Sequence, residues 1–385
     1  MLKVHILNHL DNKQMGQKKL AQIVGVSEST ISRFLNDRDE LKFETVLKLI
    51  KELFPDKEKE YMAEYAPTQK SMNARFCMEY CMIYRLWDIT EGLVQNLYDS
   101  SNPTDREWAK IYDLELMRVK GELNKDELLH ALKKYFPNTV EVQILHTFIT
   151  AYIYYEMNKQ NLTFELLDGL EQQINSIKSL FMRDCLNIRL GMLMNVVYLY
   201  QNEVDKAREY SMKVIEQDVI PHVKAIAYDN LGQSYLFEDY EKAKEHLDRA
   251  KLMYLQTGKE EYARTSERTL SFIESYWRID REFTLELSED PITQANYAYY
   301  LLQRGDLDGA KKLLNELKED IFSEWDKPFY YYYKGLVEQD KLFFYHSVKG
   351  FKSVENAFHL QLPLQELEKL GEEKVLLEIF SYKGG

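Results

Sequence analysis

Apolar positions in the first sixty residues fall into four short helical stretches, at about 2–11, 17–24, 28–36 and 43–54. Pro55 and the charge run DKEKE end them, so residues 1–55 read as a small helical bundle. A looser stretch, YAPTQKSMN, places a linker at 56–72. From Asn73 onward apolar residues recur every three to four positions, the period of helices that each bury one face.

Beyond about residue 104 the pattern becomes a series of helix pairs. Several share one spacing: a small residue, a large one three later, and another small one nine further on. That is the tetratricopeptide spacing, in which small residues let the two helices of a hairpin approach closely. It is clearest at Ala298, Leu301, Gly305, Ala310 and Leu314, and again at Leu231, Gly232, Tyr235, Ala243, Leu247 and Ala250. Gly335, Ser347 and Phe351 repeat it, as do Asn195, Tyr198, Ala207 and Val214. Residues 73–360 therefore read as degenerate repeats. The segment 361–385 keeps apolar residues at Leu364, Leu367, Leu370, Leu376, Leu377 and Phe380 without a partner repeat, and is expected to cap the array or form a dimer seam.

Length and composition agree with this pattern. A chain of 385 residues is too long for one compact core unless it grows by stacking, and scarce glycine (15) and proline (8) leave few strand-turn signals. The fold class is all-α: a helix-turn-helix domain, then a superhelical array of tetratricopeptide-like repeats with a C-terminal capping or dimerisation helix.

Within the first bundle, QKKLAQIVGVSESTISRFLND has the positions a helix-turn-helix needs. Ala21 is the small residue in the first helix, Gly25 the turn, and Ile31 the anchor in the second helix. Leu20, Val24, Val26 and Phe34 complete the packing set. Ser27 is the expected N-cap, and Ser27, Glu28, Ser29, Ser32, Arg33 and Asn36 are left facing outward, the right chemistry for base edges. Gln17, Lys18 and Lys19 open the preceding helix, where phosphates are met.

Charge narrows where nucleic acid is able to bind. The net charge is -13, yet residues 1–60 carry 11 basic and 10 acidic side chains, leaving -14 for the remainder. DNA contact therefore belongs to the N-terminus, and a near-neutral head implies two copies on a two-part operator. The inner groove of such a repeat array usually holds an extended peptide or a partner helix. Counting from the small positions, Arg189, Val196, Tyr200, Asp229, Gln233, Tyr299, Tyr332 and Gln339 face it.

Other chemistry is not indicated. Cys77, Cys81 and Cys185 form no CxxC pair and read as reduced thiols; of the eight histidines only His5 and His9 stand one helical turn apart, with no nearby Cys or carboxylate of metal-site spacing, so no metal is expected. The run FYYYYKG reads as core packing. No phosphate loop, dinucleotide loop or nucleophile elbow occurs, so no enzyme and no cofactor are expected. The N-terminus lacks a signal-peptide core and no long apolar run occurs, so a cytoplasmic protein without a membrane anchor is expected.

A helix-turn-helix followed by degenerate repeats and a short capping tail resembles the peptide-sensing regulators of Gram-positive bacteria. YYYYKGLVEQDKLFFYHSVKGF, LQLPLQELEKLGE, YSMKVI and GQSYLFEDYEKAKEHL resemble most closely the arbitrium receptor (AimR) family of Bacillus phages. That resemblance implies a homodimeric transcription factor that binds a two-part operator, activates a regulatory RNA gene favouring lysis, and is inhibited by a secreted hexapeptide, usually ending Arg-Gly-Ala. It also implies a groove contact set: one family asparagine falls on Val196 with Asn195 beside it, a second on Tyr200, an arginine on His222, a third asparagine on Gln233, and an acid on Asn356 next to Glu355. These departures imply a related but different peptide. A chromosomal or plasmid pheromone regulator of the same class remains an alternative, as does a Rap-like regulator acting through protein partners.

Overall fold

The computed structural model describes residues 2–217, 220–279 and 290–381, and every regular element among them is helical. The first four helices are α1 (Leu2–Asn12), α2 (Gln17–Val24), α3 (Glu28–Leu35) and α4 (Phe43–Leu53). They are followed by α5 (Glu58–Tyr65), α6 (Ser71–Ile83), α7 (Trp87–Tyr98), α8 (Pro103–Lys120), α9 (Lys125–Lys133) and α10 (Val140–Glu156). Next come α11 (Gln160–Leu167), α12 (Leu170–Asn175), α13 (Leu180–Tyr200), α14 (Val204–Glu216), α15 (Pro221–Ser234), α16 (Tyr240–Gln256) and α17 (Glu260–Tyr276). The last described helices are α18 (Pro291–Gln303), α19 (Leu307–Glu316), α20 (Lys327–Glu338), α21 (Lys341–Ser353), α22 (Ala357–Lys369) and α23 (Lys374–Ser381).

The chain divides into two compact units, residues 1–150 with 169–187, and residues 151–168 with 188–385. No such division falls at residue 55. The reason lies at the start of α4, where Asn73 of α6 accepts from the Phe43 amide at 2.9 Å and donates to the Leu41 carbonyl at 2.8 Å. Phe43 is buried against Phe76 and Phe181, with ring centroids 6.1 and 4.7 Å away. Glu44 accepts from Ser179 Oγ at 2.6 Å. The helix-turn-helix thus shares one core with α6 and the start of α13.

The expected linker over 56–72 is largely helical. Charges in DKEKE suggest a solvated stop, but Glu58 accepts from the Tyr80 and Tyr84 hydroxyls at 3.0 and 2.7 Å. Tyr61, Met62, Tyr65 and Ala66 are buried, and His5 stacks on Tyr61 at 4.4 Å. Three-residue apolar spacing, not net polarity, is the stronger signal there.

In the second unit the small positions mark close helix crossings. A Cβ on Gly232 of α15 would stand 2.7 Å from Leu247 Cγ of α16, and one on Gly335 of α20 would stand 2.6 Å from the Phe344 ring of α21. Only glycine allows those approaches. Ala298 of α18 and Ala310 of α19 are fully buried at the equivalent crossing.

The expected boundary at 361 falls inside α22, whose Leu360, Leu362, Pro363 and Leu367 are buried. Leu367 is therefore a core residue, unavailable to a dimer seam. Leu364, Leu370, Leu376, Leu377 and Phe380 are half-buried, and Phe380 lies 5.8 Å from the Tyr345 ring of α21. The open apolar positions of α23 are instead Val375 and Ile379, 63% and 56% exposed.

Candidate functional site

The DNA-reading candidate is built by α2 and α3. Gly25 ends α2 with φ 79°, a left-handed conformation that side chains resist, and Ser27 caps α3 by accepting from the Thr30 amide at 3.1 Å. Leu20, Ala21, Val24, Ile31 and Phe34 are buried beneath, while Val26 is half-buried. Lys18, Lys19, Glu28, Ser29 and Arg33 are exposed; Gln17 and Ser32 are half-buried. Two exposed polar residues are already engaged. Ser27 is held by its cap, and the Asn36 amide donates to the Ser32 carbonyl at 2.8 Å, closing the helix end. Arg33 has only a loose partner, Asp39 at 3.8 Å, and both are more than half exposed.

The second candidate is a cavity of about 290 Å³ within the second unit. Of the groove residues expected from spacing and resemblance, Tyr200, Gln233 and Asn356 line it together. Glu355 lines an adjoining cavity of about 100 Å³ that shares Tyr200 and Asn356, and its carboxylate accepts from the Asn161 amide at 2.7 Å.

The other expected residues do not line the cavity. Arg189 and Val196 are buried, and Asn195 is fully buried where its carbonyl accepts from Asn230 at 3.0 Å. His222 is buried between the rings of Tyr254 and Tyr262, 5.8 and 5.5 Å away. Tyr299 and Tyr332 are core residues; Tyr299 stacks on Tyr333 at 5.0 Å. Gln339 is exposed at the end of α20 with φ 51°, its amide bonded to the Leu336 carbonyl. A degenerate spacing assigns helix faces to within one position, and one position is the difference between groove and core.

Asp229 lies behind the lining. It accepts from Gln233 Nε2 at 2.8 Å and from Ser266 Oγ, fixing the direction of the Gln233 amide. Burial raises its carboxyl above the ordinary value, against the two hydrogen bonds. Asn356 caps α22, accepting from the His359 amide at 3.0 Å, and burial lowers the His359 imidazole to about 3.

Several lining residues were missed by sequence reasoning. Thr265, Arg268, Thr269 and Phe272 form an i, i+3, i+4, i+7 stripe on α17, a helix that carries none of the recognised repeats. The spacing is visible, but its mixed polarity hides it. Trp325 and Asp326 precede α20; the Trp325 ring lies 5.1 Å from that of Tyr200. Arg268 pairs with Asp290 at 3.0 Å, and the Tyr333 hydroxyl donates to Asn296 at 2.7 Å. Amides that pair with both N–H and C=O of a backbone, set among aromatic walls, suit a peptide segment. Among the described residues no group of three or more potential ligands is arranged to hold a metal, and no helix is long and apolar enough to cross a membrane.

Comparison with known proteins identifies the family. A family model described as AimR transcriptional regulator-like matches residues 58–369, and a helix-turn-helix model matches residues 11–54. The chain is 28% identical over 390 residues to the AimR transcriptional regulator of Bacillus phage phi3T, covering 98% of this chain and 100% of that protein. It is 25% identical over 384 residues to the AimR transcriptional regulator of Bacillus phage SPbeta, covering 98% and 99%. Among solved structures, a selenomethionine phAimR matches with a TM-score of 0.78 and 27% identity, over 99% of this chain and 100% of that one. A ligand-bound phAimR matches with a TM-score of 0.71 and 27% identity, over 86% and 98%. Carrying a helix-turn-helix at its N-terminus and matching the family model over most of its length, the chain belongs to the AimR transcriptional regulator-like family.

Proposed function

We propose that this regulator is a peptide-controlled transcription factor of a temperate Bacillus phage, acting in the choice between lysis and lysogeny. It binds operator DNA as a dimer through α3 and activates transcription until a short secreted peptide occupies the repeats. The observation that carries the reading is the cavity lined by Tyr200, Gln233 and Asn356. Its volume of about 290 Å³ suits one or two side chains of a hexapeptide, with the remainder lying along the repeats. A structure described as ligand-bound exists for the similar phAimR, which supports a ligand site in this architecture.

The test is calorimetry of the full-length protein with hexapeptides ending Arg-Gly-Ala, followed by an operator gel shift with and without the binder. Binding that leaves the operator complex unchanged would refute peptide control. For the dimer, the open face of α23 gives a sharper target than the buried Leu367. Val375→Ser with Ile379→Ser is expected to convert a dimer to monomers in light scattering, with the helix content unchanged; a retained dimer mass would remove α23 from the interface.

A further inference from the structure

The charges around the cavity are unequal in their pairing. Arg268 is neutralised by Asp290 at 3.0 Å and also donates to Thr265 Oγ1 at 3.1 Å. Asp326 lines the same cavity and accepts from Ser323 Oγ, but among the described residues no Lys or Arg stands within ion-pair distance of it. Burial, the largest influence on this carboxyl, holds its pKa above the ordinary value, and the attraction of Arg268 does not offset it. A half-buried carboxylate without a cation is costly, and a cation brought by a ligand would recover that cost.

The surroundings suit one kind of cation. Phe272, Trp325, Phe329, Tyr330 and Tyr333 line the same space. Aromatic faces attract guanidinium and ammonium groups, and guanidinium, being planar and weakly hydrated, stacks on them best. Another corner of the cavity offers no charge: Asn356 is a neutral cap there, and His359 is buried and uncharged at neutral pH.

We infer that Asp326 is the specificity-determining carboxylate of the cavity, receiving the arginine or lysine side chain of a bound peptide between its aromatic walls. This rests on the peptide-receptor reading above and assigns the ligand's cationic group to a residue outside the expected contact set. Arg268, already paired, keeps Asp290 as its partner.

The test compares two probes on the full-length chain by calorimetry: the tightest binder from a library of hexapeptides ending Arg-Gly-Ala, and the same peptide with citrulline replacing arginine. Citrulline keeps the shape and removes the charge. Wild type is expected to lose roughly 10- to 100-fold in affinity on that exchange, the range for hydrogen bonds to a charged group. Asp326→Asn retains an acceptor for Ser323 and is expected to distinguish the two peptides by less than about 3-fold. Should that variant not fold, judged by its thermal transition, Asp326→Ser carries the same comparison. Equal discrimination by wild type and variant, or none by wild type, would overturn the inference while leaving the receptor reading intact. Loss of affinity on N-acetylation instead of citrulline exchange would also overturn it, because the terminal ammonium would then be the cation. A library with no binder would overturn the receptor reading and this inference with it.

Discussion

The helix-turn-helix and the cavity place polar side chains in opposite circumstances. On α3, Glu28, Ser29 and Arg33 stand in solvent with few partners, and only Ser27 and Asn36 are tied to their own backbone. Around the cavity almost every polar group is held by another: Gln233 by Asp229, Asp229 by Ser266, Asn296 by Tyr333 and Asn356 by His359. An exposed reading head gains its partners from the ligand, so it tolerates substitution. A cavity of pre-engaged groups has its geometry set before the ligand arrives, and substitution there disturbs fold and binding together.

The largest effect expected on this contrast comes from the base of the head. Phe43→Ala removes a buried ring at the junction with α6 and α13 and is expected to cost about 3–5 kcal/mol in urea unfolding. A loss below about 1 kcal/mol would show that residues 1–55 do not share a core with those two helices.

On the exposed side, Arg33→Ala is expected to weaken operator binding by ~1–3 kcal/mol in a gel shift with no change in melting temperature. Affinity equal to wild type would remove Arg33 from the recognition surface. Next in size, His359 makes the cavity sensitive to acid. Its pKa is lowered from 6.5 to about 3, so below pH 6.5 the unfolded chain takes up a proton that the folded chain refuses. The stability it contributes is complete above pH 6.5 and falls by up to about 1.4 kcal/mol for each pH unit below that, down to about pH 3. His359→Gln is expected to flatten unfolding profiles over that range, and an unchanged slope would contradict the burial of a neutral imidazole. Smallest is Ser27→Ala, expected to cost ~1 kcal/mol through the lost cap, read as a lower midpoint in urea.

The same contrast explains what the sequence made legible. The helix-turn-helix is a local motif, and its packing residues, turn glycine and cap lie within twenty positions, so pattern and structure coincide there. Repeat hairpins were legible where glycine or alanine marked a crossing, as at Gly232 and Ala298. The cavity is assembled from α13, α15, α17, α18, α20 and α22, with contributions from the segment before α20, and no single window contains it. Tyr200, Gln233 and Asn356 were reached through repeat offsets and resemblance; Asp326 and Arg268 occupy positions that neither signal marks. Apolar tail residues were legible as apolar, but which of them turn inward depends on where α22 starts, at Ala357 instead of 361.

The hydrogen bond between the Asn161 amide and Glu355 joins residues far apart in the order of synthesis. All of the unit that carries the helix-turn-helix has been made by residue 187, whereas the cavity lacks Asn356 and His359 until the chain is nearly complete. At ordinary elongation rates the interval is roughly 10 to 30 seconds. On the proposed reading a nascent chain thus completes its head well before its peptide cavity, but the α23 face that would pair two heads is made last of all, so until synthesis ends the operator meets a single head.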